Sequence, residues 1–562
     1  MAGGLLNLVA YGNQNIIING NPDKSFFKMK YLKHTNFGMQ KFRVDHKQTK
    51  DIQLDNPSSF TFNVPRYADL LMDVFLVFKL PKIWSPIFNK DNNLRPYEFK
   101  WIKNIGTQII KEVKFTIGNT EIQKFSGSYL QNVIDRDFDS KKKELFDLMI
   151  GNTNELNDPA NYLNRNNYYP NAYNYNNTDA SGIEPSIYDK TIYVPINSWF
   201  SILNSSALPL ICMQYDNLNI EFEFRPIKEL FTVKNIDVSI NDIDYVDIKA
   251  DQTQENFGYY RFIQPPPTRD ISLDSVYIDQ RSNINFDLHL MTTQCFLDNE
   301  ERVLFANNNQ EYLIKQVKTY EEKGINKTNK IKVETNGLVS NWMWYIQRND
   351  VKDRNQWSNY TNWPYENIIP YNVKSLKNKD ISNNLNNINN INNINFYQDF
   401  SLNDLSNIYI TNYEPDIYSQ QNFKNILNKF GIICDGKSRE EDFDSGIYDK
   451  IEKYIHTNGN TKDGLYHYSF SLNTDCSKYQ PTGAFNTNKF KTIEFEYNLK
   501  TPPLNKEAVN VTTICDPTTG EVIATSQEPT SIYKYSYDLH LFEERYNILE
   551  FHSGTAELLY GN

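Results

Sequence analysis

The chain has 562 residues, of which 39% are hydrophobic and 23% charged, and its 58 Lys and Arg stand against 69 Asp and Glu for a formal net charge of −11. Tight nucleic-acid binding depends on clustered basic side chains that neutralise phosphates, so an acidic chain without a basic block is not expected to contact nucleic acid directly. No apolar run approaches the roughly 18 residues of a membrane-spanning helix, and the length fits two large β domains as well as three ordinary ones.

The N-terminal segment Met1–Asp23 is apolar but is interrupted by glycines at positions 3, 4, 12 and 20. Glycine weakens the interior of a helix or strand, so we expect neither a regular helix nor a central strand here. The segment lacks the basic and apolar regions of a signal peptide, and Ala2 does not fit the myristoylation pattern. We predict an arm separate from the folded domains, with an edge strand on the first domain as the alternative.

Alternation of apolar and polar residues dominates the first half of the chain. Lys111–Ile117 and Glu121–Phe125 alternate on either side of a Gly-Asn turn and predict a hairpin. Leu218–Phe224 alternates in the same way and predicts another half-buried strand. The stretch Tyr129–Ile150, which ends at Gly151, is one of the few with a helical pattern.

Two Asn-rich stretches interrupt these elements, Asn152–Lys190 and Ser382–Asn395. Neither carries enough apolar residues to bury much surface, so both are predicted to be long surface loops. Pro265–Pro267 predicts a stiff connection near the midpoint of the chain and indicates two comparable halves.

The second half continues the pattern with strands at Ile493–Tyr497 and Tyr533–Phe542 and a short helix at Glu300–Phe305. Aromatic residues make up 14% of the chain, including 38 Tyr and 34 Phe, which favours strands and aromatic-rich interfaces. Many short strands, turn residues between them and few helices predict an all-β sandwich or barrel class.

The chain contains none of the phosphate-binding, dinucleotide-binding, zinc-protease or nucleophile-elbow motifs. His289 beside Asp287 and His540 beside Asp538 could each be a base with an orienting carboxylate, but a polar strand face is the favoured interpretation. The sequence therefore predicts no catalytic, cofactor-binding or metal-binding residue.

Two further candidates have a functional and a structural interpretation. The acidic residues within Glu440–Asp444 could bind calcium, but the spacing lacks the glycine turn and terminal Glu of an EF-hand, so a solvated acidic loop is favoured. Four tryptophans could stack on sugars, although core or interface positions are favoured: Trp342, Trp344, Trp357 and Trp363. Paired carboxylates for glycoside hydrolysis are separated in space rather than in sequence, so the sequence neither supports nor excludes them.

The five cysteines are odd in number, scattered and never in CxxC spacing, at positions 212, 295, 434, 476 and 515. This pattern argues against a disulfide framework or a zinc site. Reduced cysteines in a chain assembled in the cytosol are the natural interpretation.

A set of short motifs follows one another in a fixed order along the whole chain. They are GGLLNLVAYG (3–12), YVPI and WF (193–200), ALPL (207–210), FLD and ER (296–302), EYLI (311–314), GLY and YSF (464–470), QPTG (480–483) and YNIL (546–549). In this order they resemble the major capsid proteins of the nucleocytoplasmic large DNA viruses, the group of the chlorella viruses, iridoviruses and mimivirus relatives. The closing block departs from the family, with Glu550 in place of Arg and Thr555–Glu557 in place of small residues, so contacts at the C-terminus are not carried over.

The resemblance implies a double jelly roll, two eight-stranded antiparallel β-sandwiches side by side with short helices and long surface loops. On this basis we divide the chain into an arm (1–25), a first jelly roll (26–231, with the Asn/Tyr-rich loop 152–190), a linker with connecting strands (232–267) and a second jelly roll (268–562). An insertion at about 366–425 looks longer than the family requires.

The function that the resemblance implies is that of a non-enzymatic capsid protein. Three copies would form a pseudo-hexagonal capsomer, and capsomers would tile an icosahedral shell over an internal membrane, after assembly in the host cytoplasm. The implied partners are further copies of the chain, minor capsid proteins and the inner viral membrane, without cofactors. The alternatives are a double jelly-roll scaffold or minor vertex protein of a similar virus, and a carbohydrate-binding β-sandwich protein.

Overall fold

The computed structural model describes residues 3–29, 31–47, 51–90, 93–170, 172, 184–234, 247–250, 257–266, 277, 279–366, 394–398, 408–412, 424–460, 462–474, 480–502, 509–515, 522–529, 533 and 535–561. Residues 382–393 of the predicted loop Ser382–Asn395 and most of the insertion at 366–425 lie outside the described residues, whereas Ile394 and Asn395 begin a strand. Much of the predicted linker at 232–267 also lies outside the described residues.

The strands of the first half are β1 (Phe37–Asp45), β2 (Ile52–Gln53), β3 (Ser58–Asn63), β4 (Leu70–Leu80), β5 (Ile87–Lys90), β6 (Asn93–Pro96), β7 (Phe99–Trp101), β8 (Ile110–Ile117), β9 (Thr120–Phe125), β10 (Lys190–Pro195), β11 (Leu208–Pro209), β12 (Leu218–Phe224), β13 (Phe231–Lys234), β14 (Asp247–Ile248), β15 (Asn283–Ile284) and β16 (His289–Leu297). Those of the second half are β17 (Gln310–Ile325), β18 (Thr328–Lys332), β19 (Leu338–Arg348), β20 (Ile394–Gln398), β21 (Ile408–Asn412), β22 (Leu427–Cys434), β23 (Lys437–Asp444), β24 (Leu465–Ser469), β25 (Phe485–Asn486), β26 (Ile493–Leu499), β27 (Val509–Cys515), β28 (Val522–Pro529), β29 (Tyr537–His552) and β30 (Thr555–Leu558).

The helices are short: α1 (Gly3–Val9), α2 (Ile16–Asn19), α3 (Ile105–Gln108), α4 (Gly127–Asp137), α5 (Ser140–Ile150), α6 (Asn154–Asn157), α7 (Asn299–Asn307) and α8 (Glu452–His456). A π-helical turn, Ile447–Ile451, runs directly into α8. The predicted strands and the α7 helix are confirmed, and β29 continues ten residues beyond the predicted end at Phe542.

Each half of the chain builds one sandwich from two antiparallel sheets of four main strands. In the first sandwich the sheet orders are β1-β16-β4-β10 and β3-β12-β8-β9. In the second they are β17-β29-β19-β24 and β18-β26-β22-β23. The eight main strands of the two sandwiches therefore follow the same order, so each of these strands in one sandwich has a counterpart in the other.

The cores follow from the alternation in the sequence. Along β12 the residues Leu218, Ile220, Phe222 and Phe224 are buried while their neighbours are more exposed. Phe222 meets Phe62 of β3 edge to face, with ring centroids 5.7 Å apart, a geometry that contributes about 0.5–1.5 kcal/mol beyond burial.

Strand β16 joins the first sandwich, whereas the division made from the sequence put it in the second. Leu290 of β16 pairs with Val44 of β1 on one side and with Leu76 of β4 on the other. The chain crosses to the second sandwich only after Leu297. The reason is that β16, the last strand of this sheet along the chain, inserts between β1 and β4, and periodicity alone does not reveal such a long-range pairing.

Two local predictions differ from the structure. The predicted helix Tyr129–Ile150 is two helices. Helix α4 ends at Asp137, and Asp139 caps α5 by accepting from the backbone N–H of Lys142 at 3.0 Å. The N-terminal segment does form short helices, α1 and α2, despite its glycines. Its described residues up to position 36 belong to no sheet.

The stretch Asn152–Lys190 is only partly a surface loop, so that prediction was wrong for part of its described residues. Leu156, Ala172 and Ile187 are buried. Tyr169 is also buried and its hydroxyl donates to the carbonyl oxygen of Phe99 at 2.8 Å. A few apolar residues within the Asn-rich stretch are enough to anchor it to the first core.

Candidate functional site between the two sandwiches

Trp342 and Trp344 are core residues. Both are fully buried in the second sandwich, and Trp344 stacks on Phe430 with ring centroids 4.4 Å apart. Because no face of either indole is open to solvent, neither side chain can stack on a sugar, and the core interpretation is confirmed.

Trp357 and Trp363 are half-buried under basic side chains. The Arg225 guanidinium lies 4.0 Å from the centroid of the Trp357 ring, and the Lys424 ammonium lies 5.3 Å from that of Trp363. These rings are therefore already occupied by cation–π contacts within the chain.

Neither histidine–aspartate pair has the hydrogen bond of an oriented base. His289 Nδ1 lies 2.7 Å from the backbone oxygen of Asp287 but 3.9 Å from its carboxylate. The carboxylate of Asp538 accepts from the backbone N–H of Gly324 at 3.0 Å, and burial lowers the pKa of His540 to about 4. The polar-face interpretation fits both pairs; that the chain has no catalytic residue stays a prediction.

The acidic residues of Glu440–Asp444 lie on strand β23 rather than in a loop, although most of their side chains are exposed as expected. Glu440 accepts from the hydroxyl of Tyr468 at 2.7 Å, which holds this carboxylate on the strand. Within the described part of the chain, no group of three or more His, Cys, Asp or Glu side chains is arranged to hold a metal ion.

A cleft of about 720 Å³ opens beside the contact between the sandwiches. Two of its cations are matched by neighbours of opposite charge: Lys111 lies 2.7 Å from Glu223, and Arg348 lies 2.6 Å from Asp350. Cations neutralised in this way are poorly placed to recognise a ligand.

Helix α4 is the element that joins the two sandwiches. The Ser126 hydroxyl caps it by accepting from the backbone N–H of Tyr129 at 3.3 Å, and all eleven of its residues are buried. Ile134 packs into the first core. Tyr129 faces the second sandwich, where its hydroxyl donates to Glu544 at 3.0 Å and its ring lies 5.4 Å from that of Phe542.

A buried ion cluster crosses the contact at the C-terminal end of α4. Arg136 lies 2.7 Å from Asp137 of its own helix and 2.9 Å from Glu544 of β29. It also donates to Asn341 Oδ1 of β19 at 3.0 Å. The charged side chains are at most 3% exposed, and removing one partner from such a cluster costs about 3–5 kcal/mol because the other charge stays buried.

The charge of Arg136 determines how this cluster titrates. Burial alone would raise the pKa of Glu544, but the nearby Arg136 outweighs burial and holds that pKa at about 2. Burial raises the pKa of Asp137, and Arg136 opposes this rise. Burial likewise opposes the charged form of Arg136, yet the two carboxylates hold its pKa well above the ordinary value.

A second ion contact involves the residue of α4 that directly precedes Arg136. Asp135 is 2.6 Å from Lys143 of α5 and 3.4 Å from Lys462 of the second sandwich. Next to it, the backbone N–H of Gly459 donates to the carbonyl oxygen of Arg136 at 2.8 Å. A Cβ at position 459 would clash with that carbonyl group, so this close backbone approach requires glycine.

The sheet edges meet beside the helix through two reciprocal glutamines. Gln123 of β9 donates from Nε2 to the backbone oxygen of Lys315 on β17 at 3.2 Å. Gln316 of β17 donates from Nε2 to the backbone oxygen of Ile122 on β9 at 2.7 Å. Helix α4 and strand β9 of the first sandwich, packed on β17, β19 and β29 of the second, form the internal junction.

Sequence reasoning did not find the ion cluster, because a helical pattern does not show which of its charged residues are buried. One signal was present. The run Glu543–Arg545 places three charged residues in succession inside the alternating strand β29, and such an interruption of period two indicates buried charges that need partners.

Two family models match the chain. One, described as the N-terminus of a major capsid protein, matches residues 25–264. The other, described as a large eukaryotic DNA virus major capsid protein, matches residues 301–557. The gap between the two matched ranges contains β16, the last strand of the first sandwich.

Curated relatives are also capsid proteins. Capsid protein 1 of Acanthamoeba polyphaga mimivirus is 30% identical over 338 residues, which are 60% of this chain and 47% of that protein, so the chain spans about half the length of this relative. The major capsid protein of Paramecium bursaria Chlorella virus 1 is 23% identical over the full length of both chains.

Among solved structures, the PBCV-1 virus capsid has a chain that matches with a TM-score of 0.57 at 18% identity, covering 96% of this chain and all of that one. At this identity the likeness concerns the fold alone. It confirms the double jelly roll that the sequence predicts.

Proposed function

Because this chain belongs to the major capsid protein family of the large eukaryotic DNA viruses, and is thus a structural protein of the virion shell rather than an enzyme, we propose that three copies close into a pseudo-hexagonal capsomer. Such capsomers would tile an icosahedral shell over an internal membrane, after assembly in the host cytoplasm. The partners are then further copies of the chain, minor capsid proteins and the membrane, with no direct contact to nucleic acid.

The trimer is supported by one observation: the helix after the hairpin β8–β9 of the first sandwich is covered by the rest of the chain, whereas the equivalent helix of the second sandwich is partly exposed. Helix α4 follows the hairpin β8–β9 and is fully buried between the first and second sandwiches. The segment Ile447–His456 follows the equivalent hairpin β22–β23 of the second sandwich. Here Ile451, Tyr454 and Ile455 are exposed, Tyr454 to 90%.

The simplest way to cover this counterpart helix is the first sandwich of another copy, placed as the second sandwich is placed on α4. Such a head-to-tail contact uses two different faces and closes into a ring when it is repeated. Obligate interfaces of this kind bury roughly 2,000–5,000 Å² and are rich in apolar and aromatic residues, which fits the exposed side chains of the segment.

Contacts below the shell are proposed for the N-terminal arm (1–25) and for the residues that connect it to β1. Their large apolar side chains are strongly exposed, among them Leu8, Ile17, Ile18, Phe26, Phe27 and Leu32. Apolar surface of this extent calls for a cover in the assembled state, for which minor capsid proteins and the membrane surface are the candidates. Among the described residues, no helix is long and apolar enough to cross a bilayer.

Assembly in a reducing compartment is supported by the cysteines. Cys212, Cys295 and Cys434 are free, and burial raises the pKa of all three thiols. Protonated thiols react slowly, so these side chains suit a chain that folds and assembles without disulfides.

Light scattering and negative-stain microscopy of the purified protein test the capsomer. We expect about three times the mass of the single chain, 66.0 kDa, at micromolar concentration, and hexagonal outlines. A mass that stays at that of one chain on concentration contradicts the trimer. Abundance in purified virions separates a major capsid protein from a scaffold or minor vertex protein with the same fold.

Deletion of Met1–Gly20 tests the arm. The deletion is expected to leave trimers intact and to weaken their attachment to the shell. In the full chain the arm should be cut readily by protease in free trimers and be protected in virions. Equal protection in both states would instead indicate that the arm is held by its own subunit.

A further inference from the structure

We propose that the acidic edge strand β23 of one copy docks in register along the edge strand β1 of a second copy, with Gln40 of β1 donating to the backbone oxygen of Arg439 on β23. This inference rests on the proposed trimer and assigns its two contact faces. The internal junction, where β9 and β17 already make the equivalent contact, provides the template.

The position of Gln40 follows from a bulge that both sandwiches share. In the second sandwich, Gln316 of β17 pairs with Arg545 of β29. The pairing of β29 with β19 shifts register at Arg545. In the first sandwich, Gln40 of β1 pairs with Gln294 of β16. The pairing of β16 with β4 shifts register at Gln294. Gln40 therefore occupies the place of Gln316.

The position of Arg439 follows from a second shared bulge. In the β8–β9 ladder, Phe115 pairs with Gln123, and Ile122 is skipped. In the β22–β23 ladder, Ile432 pairs with Glu440, and Arg439 is skipped. Since Gln316 donates to the carbonyl of Ile122 in the internal junction, Gln40 is placed to donate to the carbonyl of Arg439 in a neighbour.

The two proposed faces are uncovered where their counterparts are covered. Gln123 and Gln316 are buried at the internal junction, whereas Gln40 and Arg439 are exposed. Strand β1 also exposes Phe37. Since β1 and β23 are both edge strands in the described sheets, each presents backbone groups that an edge strand normally shields or pairs.

Charge makes the contact heterologous. The acidic side chains on β23 are Glu440, Glu441, Asp442 and Asp444, against Lys437 and Arg439. The segment leading into and along β1 carries Lys24, Lys28, Lys33 and Lys41 against Asp23 among its described residues, while Arg43 is already paired with Asp45 and Asp287. Two β23 edges would repel, as would two β1 edges, so the charges favour a contact between β1 and β23 and set the head-to-tail direction.

The register can be tested by disulfide trapping. In the internal junction, Gln123 faces Lys315 and Ile122 faces Gln316, so Glu441 of one copy should face Gly38 of the next. A Cβ at Gly38 meets nothing within 4 Å. The variant Gly38→Cys with Glu441→Cys should give covalently linked trimers under mild oxidation, seen on a non-reducing gel.

The matched control moves one cysteine along the same strand. Gly38→Cys with Lys437→Cys places the second thiol four residues out of register, about 13 Å away along the strand, and should link poorly. Gly38→Cys alone gives the background from the native cysteines. Equal linking of the in-register and out-of-register variants overturns the proposed register.

The charge argument has its own test, which does not depend on cysteines. Glu441→Lys with Asp442→Lys should raise the concentration for half-trimerisation about tenfold, measured by mass photometry. Glu321→Lys with Glu322→Lys makes the same change at two adjacent exposed positions of β17 and should leave it unchanged. Circular dichroism confirms that both variants fold; if the β23 variant does not, the trapping result decides.

The outcomes separate this inference from the proposed function. If the wild type forms trimers, but the in-register cysteines do not link and the β23 charge changes have no effect, the β1–β23 contact is overturned. The proposed capsomer is then still supported. A wild-type chain that stays monomeric overturns both.

Discussion

The internal junction and its open counterpart occupy the same place in two copies of one topology, yet they use opposite chemistry. The internal junction buries an arginine and two carboxylates between helix α4 and strand β29. The open counterpart shows exposed tyrosine and isoleucine on the helix and an acidic strand in solvent. We attribute this difference in chemistry to the partner of each face. The internal junction forms within one chain, whereas the open counterpart must wait for a second copy.

Within one chain, the second sandwich is always tethered next to α4, so Arg136 and Glu544 need not persist as unpaired buried charges. Between chains, each face must remain hydrated until a second copy arrives. Exposed charges meet this requirement because they keep the free subunit soluble and add long-range attraction. Burying a full ion pair at the open face would instead add a desolvation cost to every association event.

The largest expected effect comes from removing Glu544. Glu544→Ala leaves the Arg136 guanidinium buried with one carboxylate fewer, so the free energy of unfolding should fall by about 3–5 kcal/mol, measured by urea denaturation. Glu557→Ala, at an exposed position of β30, is the matched control and should leave stability unchanged. A loss below about 1 kcal/mol in Glu544→Ala would mean that the cluster does not hold the junction.

Acid should weaken the internal junction. The pKa of Glu544 is about 2 in the folded chain against an ordinary value of 4.5, so the folded state binds this proton less readily than the unfolded state. Its contribution is complete above about pH 4.5 and is lost as pH falls towards 2, by about 3 kcal/mol. Urea denaturation between pH 2 and 6 should show a shallower decline in Glu544→Gln than in the wild type; identical slopes contradict the assignment.

A smaller effect separates the two glutamines that occupy equivalent positions. Gln316→Leu removes the donor to the Ile122 carbonyl and the acceptor for Asn547 at 2.8 Å, so unfolding free energy should fall by about 1–3 kcal/mol. Gln40→Leu makes the same change on exposed β1 and should leave unfolding of the dilute monomer unchanged while it weakens trimers. Equal losses of unfolding free energy in Gln316→Leu and Gln40→Leu would contradict the proposal that only Gln316 makes its contact within the single chain.

Much of this fold follows from the sequence, and the reasons for the exceptions are physical. Alternation identifies strands such as Leu218–Phe224, because one face of each sheet must be apolar. It cannot assign β16 to the first sandwich, because the order of strands in a sheet depends on long-range pairing. It also hides Arg136, since a buried arginine and a solvated one look alike until Glu544 is placed beside it.

The smallest expected effect on folding is at the open helix. Tyr454 is 90% exposed, so Tyr454→Ser should change the free energy of unfolding of the dilute chain by no more than about 0.5 kcal/mol. The same change should raise the concentration for half-trimerisation, because the ring would be buried only by a second copy. Tyr168→Ser changes an exposed tyrosine of the first sandwich. This variant is the control and should alter neither the free energy of unfolding nor the concentration for half-trimerisation. If Tyr454→Ser and Tyr168→Ser trimerise equally well, a second copy does not cover the segment Ile447–His456. The contact between copies would then differ from the internal junction, where the equivalent helix α4 is buried.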